Sequence, residues 1–316
     1  MNLSERDRNE LLHLTDGRIR FDEPMARHTT FRVGGPAAVF VTPRSQPELT
    51  TLLAWIDDRG LPFRVIGGGS NLLVPDAGID RIVIRLAAGA SRMEAHDAGD
   101  GRIRVLAGAG ASLPALCRYA IRNGYGGLNR LIGIPGTVGG ALAGNAGSAH
   151  GWISDVVESI GVARSNGCVV QQRADAFSWA YRSMEWPSAL MAGRHRPAAI
   201  VSASFLLEPS DPNRLEEEAR EWMHLRKKSQ PIGQACAGCV FKNPVSAPAA
   251  GYLIEHAGLK GVAIGGAMVS DVHANFIVNT GNASAADILT LIEVIRNRVM
   301  QRWGVVLENE LVVLQD

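Results

Sequence analysis

Three groups of residues in this sequence have types and spacings that could do chemistry. The first is glycine in runs. Val65-Ile66-Gly67-Gly68-Gly69-Ser70-Asn71-Leu72-Leu73-Val74 places three glycines directly after an apolar stretch, and Gly133-Ile134-Pro135-Gly136-Thr137-Val138-Gly139-Gly140 offers a second such surface. Without a Cβ, successive glycines at a strand end let backbone N–H groups approach an anion closely. Neither run has the G-x-G-x-x-G spacing that opens a Rossmann helix, nor the Gly-Lys-Ser/Thr of a P-loop. Either run alone fits tight turns as well as a ligand; the two together favour a ligand with a pyrophosphate and a large ring system. The second group is lysine. Of 32 basic residues only Lys227, Lys228, Lys242 and Lys260 are Lys, all within 34 positions. An ammonium is a compact point charge that a guanidinium does not reproduce, so this stretch reads either as composition bias or as the lining of an anionic site. The third group is Cys236-Ala237-Gly238-Cys239. A C-x-x-C can be half a zinc site or a redox pair. A closed zinc site needs two more ligands, and the chain has no second C-x-x-C, no C-x-x-H and no H-E-x-x-H.

The elements that must position these groups are also marked. Residues 46–59 predict a helix, with Ser45 as N-cap, Pro47 in the first turn and Leu49, Leu52, Leu53 and Ile56 on one face. Phe63 to Ile66 read as a short buried strand leading into Gly67. Arg81 to Leu86 and Ile103 to Ala107 read as further strands, and Gly108-Ala109-Gly110 leads into a helix near Leu113 to Arg122. Residues 125–151 read as an ordered, glycine-rich loop, too apolar for a flexible linker. Residues 156–207 return to strands. The turn formers from Glu208 to Asn213 are the expected domain boundary, followed by a charged helix from Arg214 to about Lys228. Beyond it come a helix near Ala249 to His256, a strand from Phe276 to Asn279, a helix from Ala285 to Trp303 capped by Ser284, and a final strand from Val305 to Leu314.

Composition sets outer bounds. A chain of 316 residues, 46% hydrophobic and 20% charged, can build two or three packed units. A net charge of +1 argues against a nucleic-acid binder that relies on a basic field. No apolar run suits a membrane span, and the polar stretch Met1 to Asn9 has no signal-peptide core, so the expectation is a cytoplasmic protein. Four cysteines in such a chain are no disulfide framework, and Cys117 and Cys168 are expected to pack as small hydrophobes.

Several motifs, in order along the chain, carry a family resemblance. His28-Thr29-Thr30-Phe31-Arg32-Val33-Gly34-Gly35-Pro36-Ala37 resembles the N-terminal signature of UDP-N-acetylenolpyruvoylglucosamine reductases. So do the 65–74 run, Gly133 to Ala141, and Asn145-Ala146-Gly147. Tyr181-Arg182-Ser183 resembles the family's Y-R-x-S, Gly238-Cys239-Val240-Phe241-Lys242-Asn243-Pro244 its G-S-x-F-K-N-P, and Leu307-Glu308-Asn309-Glu310-Leu311 its closing L-E-x-E-V. The resemblance runs from about residue 24 to residue 314. It implies an α+β fold: a two-lobed FAD-binding domain of the vanillyl-alcohol-oxidase (PCMH) type plus a C-terminal α+β substrate-binding domain. The implied division is 1–23 as an N-terminal helical extension, 24–209 as the FAD-binding domain and 210–316 as the substrate-binding domain. The implied activity is reduction of a UDP-sugar enolpyruvyl ether by NADPH through noncovalent FAD, in peptidoglycan precursor synthesis. A small-molecule UDP-sugar would be the partner, with no nucleic acid or membrane, and the enzyme would be a monomer.

The resemblance also implies site residues. The cofactor set is Arg32, Gly34, Gly67, Gly68, Gly69, Ser70, Asn71, Leu72, Gly108, Gly133, Ile134, Pro135, Gly136, Thr137, Gly140, Asn145, Ala146 and Gly147. Tyr181, Lys227 or Lys228, Lys242 and Asn243 are the substrate set. Arg182 would hold the substrate carboxylate through its planar fork and stabilise developing negative charge. Glu310 would be the acid or hydrogen-bond donor beside it, with Glu308 as its near neighbour on the same strand face. Cys239 departs from the family, which has Ser as proton donor there. A thiol with a pKa near ~8.5 is a far easier donor than an alkanol, so Cys239 is expected to take the acid role. No metal is expected.

Overall fold

The computed structural model describes residues 1, 3–86, 92–192 and 196–314. The chain forms two units, and it crosses between them repeatedly. The first comprises Met1–Phe21, Val39–Gly68 and Arg81–Met223; the second comprises Asp22–Ala38, Gly69–Asp80 and His224–Asp316.

In the first unit, helix α1 (Glu5–Leu14) is capped by Ser4 in a capping box with Asp7. Helix α2 (Gln46–Asp58) is capped by Ser45, and Leu49, Leu52, Leu53 and Ile56 are buried as expected. A four-stranded sheet runs in the order Ile19–Pro24, Pro36–Val41, Ile79–Arg85, Phe63–Ile66. Its last two strands are parallel, with Phe63 opposite Ile82, so the glycine run that follows Ile66 leaves the sheet at a strand's carboxyl end. A second, antiparallel sheet is built on the long strand Pro197–Pro209, flanked by Val157–Arg164 and Ile103–Gly108, with Val169–Arg173 and Met93–Asp97 outside them. Helix α3 (Leu113–Arg122) buries Leu113, Leu116, Cys117, Ala120 and Ile121, the 3.6-residue stripe of a helix packed on a core. One continuous apolar cluster joins these elements.

Residues 125–151 are not loop throughout. Leu128–Leu131 form a 3-10 turn and Val138–Ala143 a short helix, α4. Two glycines in six residues conceal α4 from propensity, but Thr137 caps it. Helix α5 (Ser188–Met191) and helix α6 (Pro212–Ser229) follow.

In the second unit, helix α7 (Ala250–His256) and helix α8 (Ala285–Trp303) pack with the antiparallel strands Ala263–Ile264, Ala267–Val269 and Ile277–Asn279. Phe31, Val33 and Leu73, from the two early segments, are in this core. The expected strand from Val305 to Leu314 reduces to Val312–Val313, which pairs in parallel with Leu72–Leu73. In the segment before it Leu307 and Leu311 are buried while Glu308 is exposed and Glu310 half-buried.

One further expectation is corrected. Cys117 is buried, but Cys168 is exposed rather than packed. The last crossing between the units falls between Met223 and His224, beyond the turn formers at 208–213. Helix α6 runs through the last crossing, and the second unit draws two segments from before residue 81. Turn formers mark a break in local structure, and here pairing over long sequence distance decides the packing. Among the described residues no helix is long and apolar enough to cross a membrane.

Candidate active site

In the first unit the glycine loops converge. A Cβ on Gly67 would stand 2.4 Å from Thr137 Oγ1, and one on Gly68 would stand 3.0 Å from the Cα of Gly136. Backbone thus packs directly on backbone where the strand Phe63–Ile66 ends and α4 begins. Gly136 sits at φ +110, a region that side chains avoid, so it is glycine for two reasons at once. The loop after Ile103–Gly108 closes against the same turn. Leu113 N donates to Gly136 O (3.0 Å), Val138 N to Ala111 O (2.9 Å) and Gly139 N to Ala109 O (2.9 Å). Thr137 Oγ1 accepts from Gly140 N at 3.3 Å. Gly136, Thr137 and Gly140 therefore belong to one loop cluster with Gly67 and Gly68, reached along the chain from Gly133, Ile134 and Pro135, and the loop after Gly108 packs on it.

After α4 the chain turns at Asn145, which holds φ +38 without being glycine. Its Nδ2 donates to Ala180 O at 3.0 Å. Its Oδ1 is buried and has no hydrogen-bond partner among the described residues. Gly147 lies under the Trp152 ring, where a Cβ would come within 2.2 Å of ring carbon. Arg182 Nη1 donates to Gly147 O at 3.0 Å. The Arg182 guanidinium lies 5.2 Å from the Trp152 ring centre and 5.4 Å from that of exposed Tyr181. Asn145, Ala146, Gly147, Tyr181 and Arg182 are thus one neighbourhood, held by the antiparallel pair Ser178–Ala180 and Ser183–Glu185. Arg182 itself is at φ +57, a strained setting that persists only where the surroundings impose it. Trp152 is a part of this neighbourhood that sequence reading passed over.

In the second unit, Gly69 takes φ +67, and a Cβ there would lie 2.0 Å from His28 O. Thr30 N donates to Gly69 O at 3.1 Å. Arg32, at φ +57, stands beyond the buried Thr29, whose hydroxyl donates to Val33 O at 2.8 Å. Gly34 at φ +130 meets Val74. These contacts fold the 28–36 signature onto the 69–78 segment. Asn71 then reaches the C-terminal tail: its Nδ2 donates to Glu310 O at 2.9 Å, and Val312 N donates to Asn71 O at 3.1 Å.

Glu310 is registered from its other side. Its N–H donates to Val240 O at 2.8 Å, Leu311 N reaches the same carbonyl at 3.2 Å, and Lys242 N donates to Glu308 O at 2.8 Å. Asn71, Cys239 (one residue before Val240), Lys242 and Glu310 therefore lie along one backbone ladder. The ammonium of Lys242 is 3.7 Å from the Glu308 carboxylate, whose side chain is 76% exposed. Asn243 Oδ1 accepts from Ala250 N at 3.0 Å at the start of α7. Lys227 and Lys228 are exposed in the last turn of α6. Asn275, unassigned by sequence, clamps the ladder: its carboxamide accepts from Phe241 N (3.0 Å) and donates to Phe241 O (2.8 Å).

The thiols differ in character. Burial pushes the Cys117 thiol up to about 12, and burial also raises Cys236, against the opposing effect of the Gly238 amide. Among the described residues, no group of three His, Cys, Asp or Glu stands where it could hold a metal ion.

Comparison with known proteins adds to this geometry. An FAD binding domain model matches residues 37–172, and a model of the UDP-N-acetylenolpyruvoylglucosamine reductase C-terminal domain matches 230–314. The chain is 44% identical over 297 residues to the UDP-N-acetylenolpyruvoylglucosamine reductase of Desulfosudis oleivorans, covering 94% of this chain and 95% of that protein. It is 44% identical over 311 residues to the Syntrophobacter fumaroxidans protein of the same name, covering 97% and 86%. The crystal structure of UDP-N-acetylenolpyruvylglucosamine reductase (MurB) from Thermus caldophilus is similar at a TM-score of 0.76 and 35% identity, over 92% of this chain and 97% of that one.

Proposed function

Because this chain belongs to the UDP-N-acetylenolpyruvoylglucosamine reductase family, we propose that it reduces UDP-N-acetylglucosamine enolpyruvate to UDP-N-acetylmuramate with FAD as bound cofactor and NADPH as hydride donor. Its place would be the cytoplasmic supply of peptidoglycan precursors, as a monomer. The observation that carries the reading is the ladder of the second unit, which sets Cys239 one residue from the peptide that receives Glu310 N.

The first unit suits FAD on two observations. Glycines line a turn where a Cβ would collide, and the buried Asn145 Oδ1 is an acceptor that a bound molecule could satisfy. Gly67, Gly68, Gly136, Thr137, Gly140 and Asn145 are the residues of that unit that would hold it. When bound, FAD would supply hydride-transfer chemistry between NADPH and the terminal carbon of the enolpyruvyl double bond.

The chain's own residues would do the rest. Hydride addition leaves negative charge on the adjacent carbon, delocalised into its carboxylate. Arg182 would bind that carboxylate, and a guanidinium fixed by Gly147 O and flanked by rings loses little freedom in doing so. The Cys239 thiol would give its proton to the adjacent carbon, and the thiolate would recover one from solvent. Glu310, protonated, would donate a hydrogen bond to the developing charge. Lys242, with Lys227 or Lys228, would meet the diphosphate, and Tyr181 would border the substrate.

The test is the visible spectrum of the purified protein under anaerobic conditions. A flavin band should bleach with NADPH and return on addition of UDP-N-acetylglucosamine enolpyruvate. Cys239→Ala should leave bleaching intact and slow the return by about a hundredfold or more, the range that a general acid contributes. Cys239→Ser should retain substantial turnover. A protein that cannot be loaded with FAD would remove the whole reading, and full turnover by Cys239→Ala would remove Cys239 from it.

A further inference from the structure

We propose that Asn275 is a positioning residue for proton delivery, its carboxamide holding the peptide groups on both sides of Phe241 so that Cys239 and Glu310 keep a fixed relation. This rests on the reading of Cys239 as proton donor. Asn275 is 3% exposed. A carboxamide offers one acceptor and one donor in the pattern of a peptide group. Asn275 uses both on a single residue, accepting from Phe241 N at 3.0 Å and donating to Phe241 O at 2.8 Å. Its own carbonyl accepts Val240 N at 2.8 Å. Three hydrogen bonds from one residue thus fix two consecutive residues, where water does not compete for them.

Cys239 follows Gly238, whose φ of +78 bends the chain just before the donor. The clamp begins one residue on, where Val240 N is held by Asn275 O. The same clamped segment registers the tail, because Val240 O receives both Glu310 N (2.8 Å) and Leu311 N (3.2 Å). A single buried side chain, 34 residues from its partner, serves both proposed proton-handling groups.

The experiment compares wild type, Asn275→Ala, Cys239→Ala and the double variant, all loaded with FAD. In Asn275→Ala, bleaching by NADPH should stay within about twofold while the return with substrate slows by about ten- to a hundredfold, the scale of a misplaced catalytic group. The double variant should be slower than Cys239→Ala by much less than the Asn275→Ala factor, because only the share of the clamp's action that passes through Glu310 is left. Amide exchange at 239–242 and 308–311 should speed up in Asn275→Ala with or without flavin. If the alanine variant does not fold, Asn275→Asp keeps the shape and the acceptor, loses the donor, and should show a smaller defect of the same kind. An unchanged return rate, a parallel fall of both half-reactions, or additive slowing in the double variant would overturn the assignment. Full-rate return in Cys239→Ala would instead remove the parent reading, and this one with it.

Discussion

His273 ties stability to pH through one ring. Burial, then the charge of Lys260, hold its imidazole below the ordinary range, with Glu255 opposing. The fold therefore favours the neutral ring, whose Nδ1 accepts Asn275 N at 3.1 Å. For a lowered imidazole, this stabilisation is complete above the ordinary value of 6.5 and declines as pH falls below it, because the unfolded chain takes up the proton first. Melting temperatures of wild type and His273→Gln should accordingly differ most near pH ~8 and converge towards pH ~5.5; a gap independent of pH would mean that the ring does not titrate this way. At this scale the sequence was uneven in what it disclosed. Cys239, Arg182 and Glu310 stand in motifs. Asn275 does not, since an Asn before a strand looks like any turn residue until its partner 34 positions away is known. Trp152 was passed over because its contact, Gly147, marks itself only by lacking a side chain.

Among the elements, α8 depends on a long-range cap. Ser284 and Asp287 form a capping box at its start, and Asp76 accepts from Ala285 N at 2.7 Å and Ala286 N at 2.9 Å. A carboxylate on two first-turn amides satisfies otherwise orphaned donors and complements the helix dipole. Asp76→Ala should therefore destabilise the protein by about 1–2 kcal/mol in denaturant unfolding. A loss no larger than that of a surface substitution would show the cap to be dispensable. Helices α2 and α8 were legible because apolar periodicity and a cap agree within each, and α3 by its apolar stripe. The tail reads as one strand because apolar, β-branched residues flank Glu308–Glu310, yet only Val312 and Val313 pair as a strand; before them the backbone is held by Glu310 N and Leu311 N on Val240 O and by Lys242 N on Glu308 O. Asp76 lies 209 residues from the helix it caps, which local reading cannot span.

The molecule as a whole is interleaved. The second unit's core takes Phe31, Val33 and Leu73 from early segments, and Asp76 caps its longest helix. The fragment 210–316, which the sequence presents as a domain, lacks all four and should show no cooperative melting when expressed alone; a sharp transition would mean that those residues are not needed. The α+β class and the order of elements were readable, whereas the interleaving was not, because turn composition reports where the chain bends and says nothing of which segments later share a core. That arrangement also sets a schedule. Asn71 and Glu310, joined at 2.9 Å, are 239 residues apart. At about 5–20 residues per second of synthesis, Asn71 is made roughly 10–50 s before its partner. The His28 signature and the 69–78 segment must spend that interval on the ribosome without the tail that completes their unit.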